Sequence, residues 1–206
     1  MSFKNERRVL LFAVTAVFIL LGVSPKADRF TWLLENLPVM LGAGALLATN
    51  SRFPLSRLTY RLLAVHAAIL MVGGHWTYAE VPLGFWAMRA FDLSRNHYDR
   101  IGHFAQGFVP AILVREVLLR RSPLRPGGWV FFLATCVCLA LSAFYEFIEW
   151  WVALATGEGA TAFLGTQGDV WDAQWDMFLC TIGAILSQLL LAGFHDRSMR
   201  ELPGTV

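Results

Sequence analysis

The chain has 206 residues, of which 56% are hydrophobic and only 16% charged, with a formal net charge of +2. A soluble domain of this size carries about a quarter charged residues, so the composition argues against one. No phosphate loop, internal repeat or nucleic-acid motif interrupts the apolar runs, and no nucleic-acid partner is expected.

In chain order, the first apolar element covers residues 9–23 and follows Lys4, Arg7 and Arg8. Its length mimics a secretion signal, but the following "SPKADRF" lacks small residues at the cleavage positions, so an uncleaved helix is expected. The second covers 32–49, with Glu35 near its start and a small-residue stretch, "GAGALL", suited to a close helix contact. The third covers 62–79 and holds only His66, read as structural, and His75, read as interfacial with a backbone partner. After Pro82 the stretch "VPLGFWAM" is too short to span and is expected to lie in the interface. The remaining elements cover 101–119, 129–152 and 175–194. Met177–Phe194 and Gly127–Tyr145 are free of charge, close to the roughly 20 residues a spanning helix needs. The reading is all-α: a polytopic transmembrane bundle of about six spanning helices, forming a single integral membrane domain over residues 1–206. Cys136, Cys138 and Cys180 all fall in apolar runs and read as packing residues.

With the N-terminus in the cytoplasm, 12 of the 17 Lys and Arg fall on the cytoplasmic side and 5 outside, as the positive-inside bias requires. The acids run the other way, with Glu6, Glu116, Asp196 and Glu201 inside and the rest, Glu158 among them, outside. Both termini are then cytoplasmic and the polar chemistry faces the periplasm. The arginines of the inner loops "SRFPLSR" and "RRSPLRPGG" read as contacts to anionic lipid.

Three segments carry that chemistry. "RNHYDRIGHF" sets His97, Asp99 and His103 at a helix start, with Asp99 and His103 one turn apart. "YEFIEWW" places Glu146 and Glu149 on one face, and "GDVWDAQWDM" spaces Asp169, Asp172 and Asp176 by three and four. Carboxylates at this depth need pairing or a metal. His97, Asp99, His103, Asp172 and Asp176 are the candidate metal ligands, and imidazole beside acids favours Zn, Mn or Fe over Ca or Mg. Glu146 and Glu149 are candidate catalytic groups. Arg95, Arg100, Gln106 and Gln174 are candidate substrate contacts, the arginines for a lipid phosphate.

"RNHYDRIGHFAQGFVPA", "YEFIEWW", "LGTQGDVWDAQWDM" and the earlier "HWTYAEVPLG" resemble the YjdF-like family of bacterial inner membrane proteins. The resemblance runs from about Pro38 to Leu190. It implies a multi-spanning protein of the inner (plasma) membrane and carries no activity or catalytic residue with it.

The residues leave three functions open. One is a metal-dependent hydrolase or transferase acting on a lipid or lipid-linked substrate at the periplasmic face. Another is a transporter or sensor of a divalent ion. The plainest is a structural or assembly protein whose acids form a satisfied polar network. No feature fixes the oligomeric state.

Overall fold

The computed structural model describes residues 2–157 and 161–202; Glu158 lies outside the described residues. The described chain is all-helical. Six long helices run as α1 (Phe3–Val23), α2 (Arg29–Thr49), α3 (Arg57–Trp76), α5 (Tyr98–Arg121), α6 (Gly128–Thr156) and α8 (Asp172–Arg200). Two short helices, α4 (Pro82–Ala90) and α7 (Thr161–Leu164), and a 3-10 turn at Tyr78–Glu80 fill the connections. The helix α4 is nine residues long, about 14 Å, and cannot cross a bilayer.

The long helices invert the soluble pattern. Phe12, Leu20, Leu41, Trp129 and Leu154 point outward and are more than 60% exposed. Glu116, His195, Thr59, Ser142 and Ser187 are wholly buried. An apolar exterior around a polar interior suits a lipid surround. Four helices, α2, α3, α6 and α8, are long and apolar enough to cross a membrane. Lys4, Glu6, Arg7 and Arg8 weight the start of α1, and α5 carries charges at both ends.

Boundaries differ from the apolar runs where caps and tertiary contacts intervene. Ser2 caps α1 by accepting from the Asn5 N–H at 3.3 Å, so the helix begins well before residue 9. The third helix stops at Trp76, because Thr77 takes φ +61°, a conformation that ends a helix. The last helix runs six residues beyond 194, carrying the buried His195 with it. Its length of 29 residues spans about 43 Å, more than a hydrocarbon core of about 30 Å.

Small residues bring α5 and α8 together. A Cβ built on Gly107 would lie 1.8 Å from the Cys180 carbonyl oxygen, and one on Gly183 would lie 2.2 Å from the Phe104 carbonyl oxygen. Ala111, Cys138, Cys180 and Ala184 form the buried apolar centre where α6 joins this pair. All three cysteines are free thiols. The Cys138 thiol reaches the Gly107 carbonyl and the Cys180 thiol the Cys138 carbonyl. A Cβ built on either glycine of "GAGALL" would meet nothing within 4 Å, and the close helix contact lies instead at Gly107, which faces Cys180 and Ala184, and at Gly183, which faces the Phe104 and Phe108 backbone.

Candidate metal-binding site

One end of the bundle collects the starts of α2, α5 and α8 and the ends of α3 and α6. Asn96 organises it. Its Oδ1 accepts from the Tyr98 N–H at 3.0 Å, which satisfies a free donor at the start of α5. Its Nδ2 donates to the Val81 carbonyl at 3.0 Å. Its backbone exchanges two hydrogen bonds with the Gln167 amide, at 3.1 and 2.8 Å. Asn96 is wholly buried and ties α4, α5 and the loop before α8 into one frame. Gly84 makes room for it, since a Cβ there would fall 1.7 Å from Asn96 Oδ1.

Within that frame Asp99, His103 and Asp176 converge. The His103 Nε2 lies 3.5 Å from Asp99 Oδ1 and 3.8 Å from Asp176 Oδ2. One ligand atom from each lies within 4.8 Å of the others. None of the three residues is more than 8% exposed. Asp99 and His103 share a face of α5 one turn apart, and Asp176 faces them from one turn into α8. Asp176 Oδ1 and His103 Nδ1 have no protein partner.

The other expected ligands stand elsewhere. Asp172 accepts from Arg95 Nη1 at 2.9 Å, and Asp169 lies 3.3 Å from the same nitrogen. Arg100 pairs with Asp169 at 2.8 Å and stacks over the Trp175 ring at 5.1 Å. Asp172, Arg95 and Arg100 therefore build an ion-pair cluster beside the triad. His97 sits just before α5, outside the triad, and its side chain makes no cap to the helix. Its pKa is lowered by desolvation and by the nearby Arg100 and Arg95 charges. Gln174 is exposed on the outer face of α8. Glu146 lies within electrostatic range of His103 and Asp99, and one of its oxygens is buried without a partner. His75 is buried and its Nδ1 meets the Leu21 carbonyl at 2.8 Å.

A cavity of about 70 Å³ adjoins the triad, two of whose residues, Asp99 and His103, line it. Gln106 and Glu149 line it as well. Glu35 and His66 line it too, as do the buried faces of Tyr78 and Tyr145. His66, read from the sequence as a lone structural residue, thus joins a polar cavity. The available signal was an ionisable residue inside an apolar span, which is costly unless it serves a purpose.

The chain matches, over residues 6–197, the model of a family described as predicted membrane protein (DUF2238). The chain belongs to this family. It is 52% identical over 188 residues to a curated relative, "Inner membrane protein YjdF" of Escherichia coli (strain K12), covering 91% of this chain and 90% of that protein. No solved structure matches it. As a member of this family it is an inner-membrane protein with helices able to span the bilayer.

The opposite end of the bundle holds a second network. Glu116 Oε1 accepts from the Ser56 N–H at 2.8 Å and from Arg120 at 2.6 Å. Its Oε2 accepts from the Thr59 hydroxyl at 2.6 Å and faces His195 Nε2 at 3.1 Å. Arg115 reaches His195 Nδ1 at 3.0 Å and Asp196 at 2.7 Å. An arginine can only donate, so in this network Nδ1 accepts from Arg115 and Nε2 is the ring nitrogen turned to Glu116. Glu6 pairs there with Arg57 and Arg61. The arginines Arg57 and Arg120, read from the sequence as lipid contacts, are here committed to protein acids.

Proposed function

We propose that this protein binds a divalent transition-metal ion between Asp99, His103 and Asp176 and handles the ion itself, as a sensor or carrier. The observation that supports this is the meeting of an imidazole nitrogen and two carboxylate oxygens, from two helices, within 4.8 Å. Ligands about 2.0 Å from a tetrahedral metal lie about 3.3 Å from one another. The contacts of 3.5 and 3.8 Å are near that separation and long for hydrogen bonds. The donor set suits Zn, Mn or Fe better than Mg or Ca, and water from the adjoining cavity would complete the coordination. Ion handling is favoured because the cavity holds only about 70 Å³, room for water and not for a lipid. Arg95 and Arg100, which would hold a lipid phosphate, are engaged by Asp172 and Asp169. The same proposal takes α1 and α5 as spans, giving six, with both termini cytoplasmic and the triad toward the periplasm. The 12-to-5 split of basic residues supports that orientation.

A second reading, a hydrolase or transferase on a lipid-linked substrate, draws on Glu149 alone. It lines the cavity of the triad, where a carboxylate beside a metal-bound water is a hydrolytic arrangement.

The deciding experiment uses purified protein in lipid nanodiscs. Elemental mass spectrometry and calorimetric titration with Zn and Mn are expected to give one ion per chain. Asp176→Asn and Asp99→Asn, each checked for an unchanged unfolding midpoint, are expected to lose it. A folded wild-type protein indifferent to added metal sinks the proposal. Metal uptake into proteoliposomes separates carrying from sensing, and metal-dependent lipid turnover would promote the second reading.

A further inference from the structure

The cavity extends past the triad, and its far part is lined by groups the metal does not need. Glu35 is 2% exposed and its Oε2 has no protein partner; His66 is 9% exposed and its Nε2 has none. Both line the cavity that Asp99 and His103 line. His103 sits five residues into α5, about 7.5 Å along the axis. His66 sits ten residues before the end of α3, about 15 Å in. The cavity therefore reaches from near the bundle end to the middle of a span. Buried polar atoms without partners are satisfied by water when the space allows. A volume of about 70 Å³ has room for about five waters. Pro38, also on the cavity wall, has no N–H, which leaves the Leu34 carbonyl without its helical donor and adds an acceptor next to Glu35.

We propose that Glu35 and His66 form a proton-holding site in the middle of the bundle, supplied through water from the triad end. The ionisable groups within electrostatic range of Glu35 are Asp99 from α5, Asp28 before α2, Tyr78 from the 3-10 turn and Tyr145 from α6, and all but Asp28 share its cavity. Glu149 of α6 shares the cavity. For the triad without a metal ion, none of these is a permanent cation, and Arg95 and Arg100 are bound to other acids. A carboxyl so placed takes a proton, because no fixed positive charge compensates its anion. Protonated, it becomes a donor as well as an acceptor, and His66 Nε2 is the free nitrogen within the same cavity. The ligand of this site is a proton carried on water.

The site goes beyond the metal reading and stands without it, and the test keeps the two apart. Infrared spectra of the protein in nanodiscs are recorded in H2O and D2O, for wild type, Glu35→Gln and His66→Gln. The wild type is expected to show a neutral-carboxyl band that Glu35→Gln lacks, that shifts in D2O while the bundle stays folded, and that moves in His66→Gln. A carboxyl spectrum identical in wild type and Glu35→Gln overturns the proposal. So does a Glu35 band that does not shift in D2O, and a band unmoved by His66→Gln removes His66 from the site. Zinc calorimetry on the same samples addresses the triad separately: heat of binding without a Glu35 band refutes this site alone, and a D2O-sensitive Glu35 band without zinc binding refutes the metal site alone.

Discussion

Gly107→Ala tests the geometry on which the triad depends. The added Cβ would sit 1.8 Å from the Cys180 carbonyl oxygen, where ordinary contact begins at 3.4 Å. Carbonyl and helix backbone cannot turn aside as a side chain would, so α5 and α8 must part by about 1.6 Å along that line. Gly107 lies one turn beyond His103, and Cys180 one turn beyond Asp176. The separation is thus imposed next to the triad, on the two helices that carry all three residues. Overpacking of this kind costs about 1–3 kcal/mol, and a 3.8 Å His103–Asp176 contact stretched by more than an ångström no longer suits one metal ion. The expected result is a lower unfolding midpoint together with weakened zinc binding in calorimetry. Gly42→Ala is the control: nothing lies within 4 Å of a Cβ there, and relief of helix glycine is worth up to about 1 kcal/mol in the stabilising direction. If Gly107→Ala matches the wild type in both midpoint and zinc affinity, the close approach of α5 and α8 described above is wrong.

Glu116→Ala at the other end strands His195, Thr59 and Arg120 around an empty place, and loss of one partner from a buried charge network costs about 3–5 kcal/mol; thermal unfolding in nanodiscs measures it, with zinc binding expected to survive in whatever fraction stays folded. Asn96→Ala removes the oxygen that caps α5 through the Tyr98 N–H, a loss of about 1 kcal/mol for the cap alone, read as faster hydrogen exchange at Tyr98 and the following turn. Asp28 caps α2 through the N–H groups of Phe30 and Thr31 at 2.9 and 3.0 Å. The Thr31 side chain and these N–H bonds lower its pKa. A depressed carboxyl contributes stability that is present above its unfolded pKa and is lost as pH falls through the folded value. Exchange at the start of α2 is therefore expected to quicken on acidification below the usual carboxylate range in wild type, and to show no such step in Asp28→Asn.

The membrane architecture was legible because it rests on composition and on long uncharged runs, which one sequence displays directly. The Asp99–His103–Asp176 meeting was partly legible. The i, i+4 spacing puts two of them on one face, but nothing in the chain says which of Asp169, Asp172 and Asp176 turns toward them. The choice is made by Arg95, which draws Asp172 aside, and that pairing bridges 77 positions. Glu35 and His66 were each visible and each looked solitary, because their shared cavity exists only once α2, α3 and α5 are packed. The Glu116–His195 network escaped notice for a different reason. Charges at the end of a hydrophobic run look like solvated loop, yet α8 carries His195 on as helix and buries it.

The contact at Gly107 and Gly183 also bears on how anything enters. With backbone against backbone there is no slack between α5 and α8, and the two behave as a single strut. Admission of an ion or of water then falls to the walls around that strut: to α2, with its Pro38 interruption, to α3, or to the outer end of α6. A crosslink pinning α5 to α8 should leave solvent exchange in the cavity untouched, whereas one pinning α2 to α3 should slow it.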